Sequence, residues 1–135
     1  MIEYKIENDL NRDEFRVVLK NSTLGARRPV NEPEKLQKMV ENANLIITAR
    51  EEGKLIGVSR ALTDFAFCTY LSDLAVDEAY QKQGIGTELI RQTKLAAPDA
   101  RLILLAAPAA TLYYPKIGMK QFEHCYVLDD ISELR

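Results

Sequence analysis

Residues 74–87, Leu74-Ala75-Val76-Asp77-Glu78-Ala79-Tyr80-Gln81-Lys82-Gln83-Gly84-Ile85-Gly86-Thr87, read as a strand end, a polar connection and two glycines that open a helix. Glycine lets the main chain bend tightly and approach a ligand, because no Cβ stands in the way. A helix start adds unpaired N–H groups and the positive end of a dipole, so the junction suits an anion such as a phosphate or pyrophosphate. Two common phosphate patterns do not fit. G-x-G-x-x-G fails because Leu89 occupies the third glycine's place, and G-x-x-x-x-G-K-S/T fails at the same residue. What remains is Q-x-x-G-x-G at Gln81, Gly84 and Gly86, which taken alone is equally an ordinary helix start with glycines for packing.

Working outward, Ile2 to Ile6 alternates apolar and charged residues and reads as a strand. Asn8 or Asn11 is placed to cap a helix through Lys20, with Phe15, Val18 and Leu19 at helical spacing. Residues 21–33, with Arg27-Arg28 and two prolines, read as a loop, and Pro33 suits the first turn of a helix to Asn42. Leu45 to Ala49 and Leu55 to Leu62 flank the polar turn Glu51-Glu52-Gly53-Lys54, a hairpin signal, and Thr69 to Val76 is a third strand beside them. The helix after Gly84-Ile85-Gly86 carries Ile85, Leu89 and Ala96 on one face and stops at Pro98. Leu102-Ile103-Leu104-Leu105 reads as a strand buried on both faces. A last helix over Ala109–Ile117, capped by Gly118, precedes a strand pair over Met119–Leu128. The order β-α-α-β-β-β-α-β-α-β-β predicts an α/β (mixed α+β) fold, with about six or seven strands in a central mixed sheet and about four flanking helices. Residues 1–135 are read as a single domain.

Composition narrows the class. The 135 residues are 47% hydrophobic and 28% charged, which is globular rather than disordered or collagen-like. Eighteen basic and twenty acidic residues give a formal charge of −2, which demotes a nucleic-acid partner. Cys68 and Cys125 make neither a disulfide framework nor a four-cysteine zinc site, so no metal is expected and both read as reduced, partly buried small hydrophobes. The start MIEYKIENDL lacks the basic and apolar regions of a secretion signal, and no uninterrupted apolar run is long enough for a membrane span. The expectation is a soluble, cytoplasmic protein with no nucleic-acid or membrane partner.

The segment V-D-E-A-Y-Q-K-Q-G-I-G-T-E-L-I resembles the central motif of the GCN5-related N-acetyltransferases (GNAT), whose Q/R-x-x-G-x-G/A loop binds acetyl-coenzyme A. Leu112-Tyr113-Tyr114-Pro115-Lys116-Ile117-Gly118-Met119 is similar to that family's F-Y-x-x-x-G-F/M stretch, with one strand between the two motifs. Together with the element order, the resemblance spans residues 2–128. Arg60 to Phe67 followed by Tyr70 to Val76 further resembles the arylalkylamine-type members. Two departures stand out: Ala107 replaces an asparagine that often touches the cofactor, and Pro115 removes a backbone donor inside the last helix.

The resemblance implies direct transfer of an acetyl group from acetyl-CoA to the amine of a small acceptor, with no metal. It places the cofactor on Leu74, Ala75 and Val76 and on the loop of Gln81, Lys82, Gln83, Gly84, Ile85, Gly86 and Thr87, with Tyr114 against it. An ammonium of ordinary pKa must lose its proton before attack, and Asp73 is the candidate acceptor, its alternative being a solvated or capping carboxylate. The Leu74–Val76 amides are candidates for stabilising the developing oxyanion. Tyr114 matches the family's general acid for the departing thiolate, and Tyr113 its aromatic packing position. Lys82, Arg91 and Lys116 are candidates for the 3′-phosphate, and Arg27 and Arg28 for a substrate carboxylate or cofactor phosphate, their alternative being solvated loop charge. His124 reads as a structural or surface residue. Residues 64–79 hold Asp64, Asp73, Asp77 and Glu78 with no basic residue, which favours a cationic amine if that face borders the acceptor. The competing reading is an acyl-CoA-binding sensor or an inactive partner subunit of the same fold. A homodimer is a family-level expectation.

Overall fold

The alternating apolar runs form one five-stranded sheet in the order β1 (Ile2–Ile6), β2 (Leu45–Glu51), β3 (Lys54–Thr63), β4 (Cys68–Val76) and β5 (Arg101–Ile103). The first four strands run antiparallel to their neighbours, and β5 lies parallel to β4. Parallel strands need a crossover, supplied here by the helix α3 (Ile85–Ala96). The computed structural model describes residues 1–135, which divide into two compact units, Met1–Leu105 and Ala106–Arg135.

In the first unit the sheet separates two cores. On one face α1 (Arg12–Asn21) and α2 (Pro33–Asn42) bury Phe15, Leu19, Leu36 and Val40 against Ile46, Val58 and Ala75. On the other, α3 buries Ile85 and Leu89 against Leu45, Ile47, Ala61 and Leu71. A Cβ on Gly57 would meet Leu89 and Ile85 at 3.1 and 3.2 Å, so this glycine sets how closely α3 approaches β3. Asn11 caps α1 by accepting from the amides of Asp13 and Glu14, and Pro33 opens α2. Glu52 and Gly53, at φ 49° and 83°, form the two-residue hairpin turn whose twist matches the flanking strands.

A bulge in β4 has the largest consequence for the site. Arg60 faces Asp73 and Ala61 faces Leu71, so Ser72 is the extra residue. The slip reverses the parity of the strand. Leu71 and then Leu74 and Val76 all turn toward the α3 core, while Asp73 and Ala75 turn toward α1 and α2.

Four sequence expectations are corrected. The sheet has five strands rather than six or seven, because residues 119–128 form no strand pair. Nearly every residue there is exposed, so no buried face fixes a register. β5 is a short edge strand, not one buried on both faces: Leu102 and Leu104 pack on the core while Ile103 and Leu105 are half exposed. The last helix is a single turn, α4 (Tyr113–Lys116), with Pro115 inside it and a 3-10 turn over Pro108–Ala110 ahead of it. Cys68 and Cys125 are both exposed rather than partly buried. No helix is long and apolar enough to cross a membrane.

Candidate functional site

β4 is paired with β3 along its length but with β5 only at Cys68–Arg101, Thr69–Leu102 and Tyr70–Ile103. Beyond Tyr70 its other edge has no strand partner, because β5 ends at Ile103, and the wedge left there runs along the main chain of Leu71 to Val76. The bulge at Ser72 sits at the closed end of this wedge, two residues past the last β5 pair, where a bulged strand bends and its local twist increases. An edge of unpaired main-chain donors and acceptors can bind an extended, amide-bearing ligand as another strand would.

At the far end of β4 the chain turns through Asp77. Asp77 donates its amide to the carbonyl of Ile56 at 2.8 Å, and its carboxylate accepts from the amide of Ala79 at 2.9 Å. The Gln81 side chain donates back to the carbonyl of Val76 at 3.1 Å, tying the connection to the end of the strand. Lys82 follows in left-handed conformation at φ 65°, and Gly84 at φ 81° is the N-cap of α3. No side chain caps this helix, and a Cβ on Gly84 would meet nothing within 4 Å. The space beside Gly84 is open, and a helix N-terminus without a side-chain cap suits an anion such as a pyrophosphate. Gln81 is thus joined to Val76, and Gly84 follows three residues later at the helix start. A ligand with a phosphate on the α3 start and a peptide-like arm along β4 matches coenzyme A. Four residues of strand, from Val76 to Ser72, cover about 13 Å, so an arm laid along β4 from the α3 start would reach the bulge.

Asp73 is corrected. Its side chain is fully buried, with Arg28 on one carboxylate oxygen and Arg60 on the other. Arg28 also donates to the Ser72 carbonyl at 2.8 Å, and Arg60 to the Ser72 hydroxyl at 2.8 Å and the Met39 carbonyl at 3.1 Å. A carboxylate so engaged, with no exposed surface, clamps the bulge to α2 and the residue 22–32 loop rather than taking a proton from an acceptor. Three of the four acidic residues in segment 64–79 have partners of their own. The backbone amides of Phe67, Ala66 and Cys68 donate to Asp64 and lower its pKa to about 2, and Asp77 caps its turn beside Lys54. Only Glu78 of the four lacks such a commitment.

In the second unit Tyr114 is half buried, its ring edge-on to Tyr113 at 5.2 Å, and its carbonyl accepts from the amides of Ile117 and Met119. Burial raises the Tyr114 pKa, and Tyr113 adds to the effect, so the phenol stays protonated through neutral pH. His124 is exposed and edge-on to Phe122 at 5.3 Å. Of the phosphate candidates, Lys82 is exposed and Arg91 pairs with Glu88 at 3.3 Å. No group of three or more His, Cys, Asp and Glu side chains is placed to hold a metal ion. Ser72 and Arg60 carry roles that the sequence reading did not assign. The signal for the bulge was present, because the apolar positions facing α3 change from odd (Leu71) to even (Leu74, Val76) within one strand.

A family profile described as the acetyltransferase (GNAT) domain matches residues 20–132. The chain belongs to the GNAT acetyltransferases. Within curated proteins, 73 residues of this GNAT domain are 34% identical to a Glycine max protein named histone acetyltransferase TAP1, covering 52% of this chain and 32% of the relative. The chain thus spans about a third of that relative's length. A GNAT-family acetyltransferase structure from Streptococcus pneumoniae superposes with a TM-score of 0.79 at 20% identity, over 97% of this chain and 98% of that one. The structure of a predicted acetyltransferase from Clostridium acetobutylicum, solved with acetyl-CoA, gives 0.69 at 14% identity over 96% of each chain. At these identities the structures establish the GNAT fold, and the five strands and four helices of this chain match it.

Proposed function

We propose that this GNAT domain transfers the acetyl group of acetyl-CoA to the amine of a small acceptor by direct attack. The observation that carries the reading is the wedge: β4 loses its β5 partner at Tyr70, and the same strand leads into an uncapped, glycine-opened helix. Gly84, Ile85, Gly86 and Thr87 hold the pyrophosphate, aided by Lys82 and Gln83. Leu74, Ala75 and Val76 hold the pantetheine arm. Acetyl-CoA supplies an activated thioester, and the chain's own residues do the rest. The free main chain of β4 orients the thioester and offers N–H groups where its oxygen gains charge. The phenol of Tyr114, kept protonated by its surroundings, is assigned the proton for the departing thiolate. With Asp73 engaged, the acceptor's proton leaves to water in the open wedge.

A thiol-release assay with acetyl-CoA and a panel of amines tests the reading, alongside calorimetry with coenzyme A. Amine-dependent thiol release supports it. Tight coenzyme A binding with no turnover of any amine would instead support an acyl-CoA sensor. Ala107, standing where a cofactor-contacting asparagine is common, is the residue that favours that second reading.

A further inference from the structure

We propose that Arg28 selects the acceptor, and that the acceptor is a small amine carrying both a carboxylate and an apolar body, the chemical class of the apolar amino acids. The inference rests on the transferase reading above. Near the closed end of the wedge two guanidiniums face one carboxylate, so the Arg28–Asp73–Arg60 cluster keeps one net positive charge. Arg60 is sealed, its side chain 9% exposed, whereas Arg28 is 22% exposed. A guanidinium has five N–H donors. Arg28 spends three of them, on Asp73, the Arg27 carbonyl and the Ser72 carbonyl. One N–H therefore remains on each terminal nitrogen, the fork that matches a carboxylate. Arg27, next in the chain, is exposed and adds to the positive field.

The same face of the sheet continues as apolar surface. Leu62, Tyr70 and Ile103 are direct cross-strand partners, so their side chains share one face, and they are 42%, 37% and 50% exposed. Leu62 lies two residues from Arg60 along β3 and shares its face, which puts the apolar row about 7 Å from the charged one. A molecule that sets its carboxylate on Arg28 and its side chain on this row holds its amine beside Ser72, where the thioester end of the arm falls. A polyamine or other purely cationic acceptor would meet the uncompensated charge.

The test uses the full chain with acetyl-CoA and matched pairs of amines: phenylalanine against 2-phenylethylamine, and leucine against 3-methylbutylamine. The carboxylated member of each pair is expected to lead by at least about tenfold in kcat/KM, the worth of one charged hydrogen bond. Arg28→Gln should cut the carboxylated member's lead in kcat/KM by about tenfold, with any loosening of the bulge acting on both members of a pair alike, and Arg28→Lys should partly restore that lead. A merely structural role would shift both members together, and that result overturns the inference, as does equal or better use of the decarboxylated amines by the wild-type protein. In both cases the transferase reading stands. Turnover of neither member overturns the inference as well, and failure to bind coenzyme A overturns the transferase reading itself.

Discussion

Replacing Asp73 by asparagine keeps the side chain's shape and removes its charge, leaving Arg28 and Arg60 face to face inside the protein. Breaking a buried pair in this way typically costs about 3–5 kcal/mol, so Asp73→Asn should lose a large part of the domain's stability in urea unfolding. A proton-accepting Asp73 would behave differently, giving a stable variant with a low kcat and an altered pH profile. Tyr114 is the opposite case. Tyr114→Phe keeps the ring and its contact with Tyr113 and removes only the hydroxyl. As the donor to a thiolate, which leaves tolerably unaided, the hydroxyl should be worth the lower end of general acid catalysis, about 10²-fold. The loss should appear equally in kcat and kcat/KM, with coenzyme A affinity unchanged in calorimetry. A wild-type kcat would reject the acid role.

Elements were legible where one local signal decided them. Asn11, Pro33, the Glu52-Gly53 turn and the glycine start of α3 each mark a boundary through backbone chemistry that neighbours do not alter. Elements whose state depends on a partner were not. The apolar run at 102–105 fits either a central or an edge strand, and the 119–128 segment has strand-forming residues but no buried face in the structure. The β4 bulge shows how one residue links element to site. Because Arg60–Asp73 and Ala61–Leu71 are consecutive pairs, deleting Ser72 should remove the bulge while every other side chain keeps its face. The variant should fold, lose the Ser72 hydrogen bonds to Arg28 and Arg60, and straighten β4 toward β5. Its coenzyme A affinity should fall by about tenfold or more, equivalent to about 1.4 kcal/mol, as measured by calorimetry beside circular dichroism. At the other end of the wedge, Gly84→Val forces a branched side chain into a left-handed backbone at φ 81°. That conformation costs about 1–2 kcal/mol in stability, and the new side chain occupies the space above the helix start. Cofactor binding should be obstructed in a variant that still melts cooperatively; unchanged affinity would displace the pyrophosphate from this loop.

On the scale of the whole molecule, coenzyme A bound as proposed should contribute to stability as well as to chemistry. Beyond Tyr70 β4 has no β5 partner in register, and α3 begins with no side-chain cap. Coenzyme A that fills both sites binds the folded chain and not the unfolded one, and mass action then sets the gain. At a free concentration of about 100 times Kd the native state gains about 2.7 kcal/mol. For a chain between the small and mid-sized domains, each kcal/mol moves the melting temperature by about 4 °C, so saturating coenzyme A should raise Tm by about 10 °C. A chain that folds as a single domain should also melt in one transition with and without ligand. Calorimetric scans over a coenzyme A series check both. Adenosine alone carries neither pyrophosphate nor pantetheine, so it should give almost none of the shift; an equal shift from adenosine would place recognition outside the wedge and the α3 start.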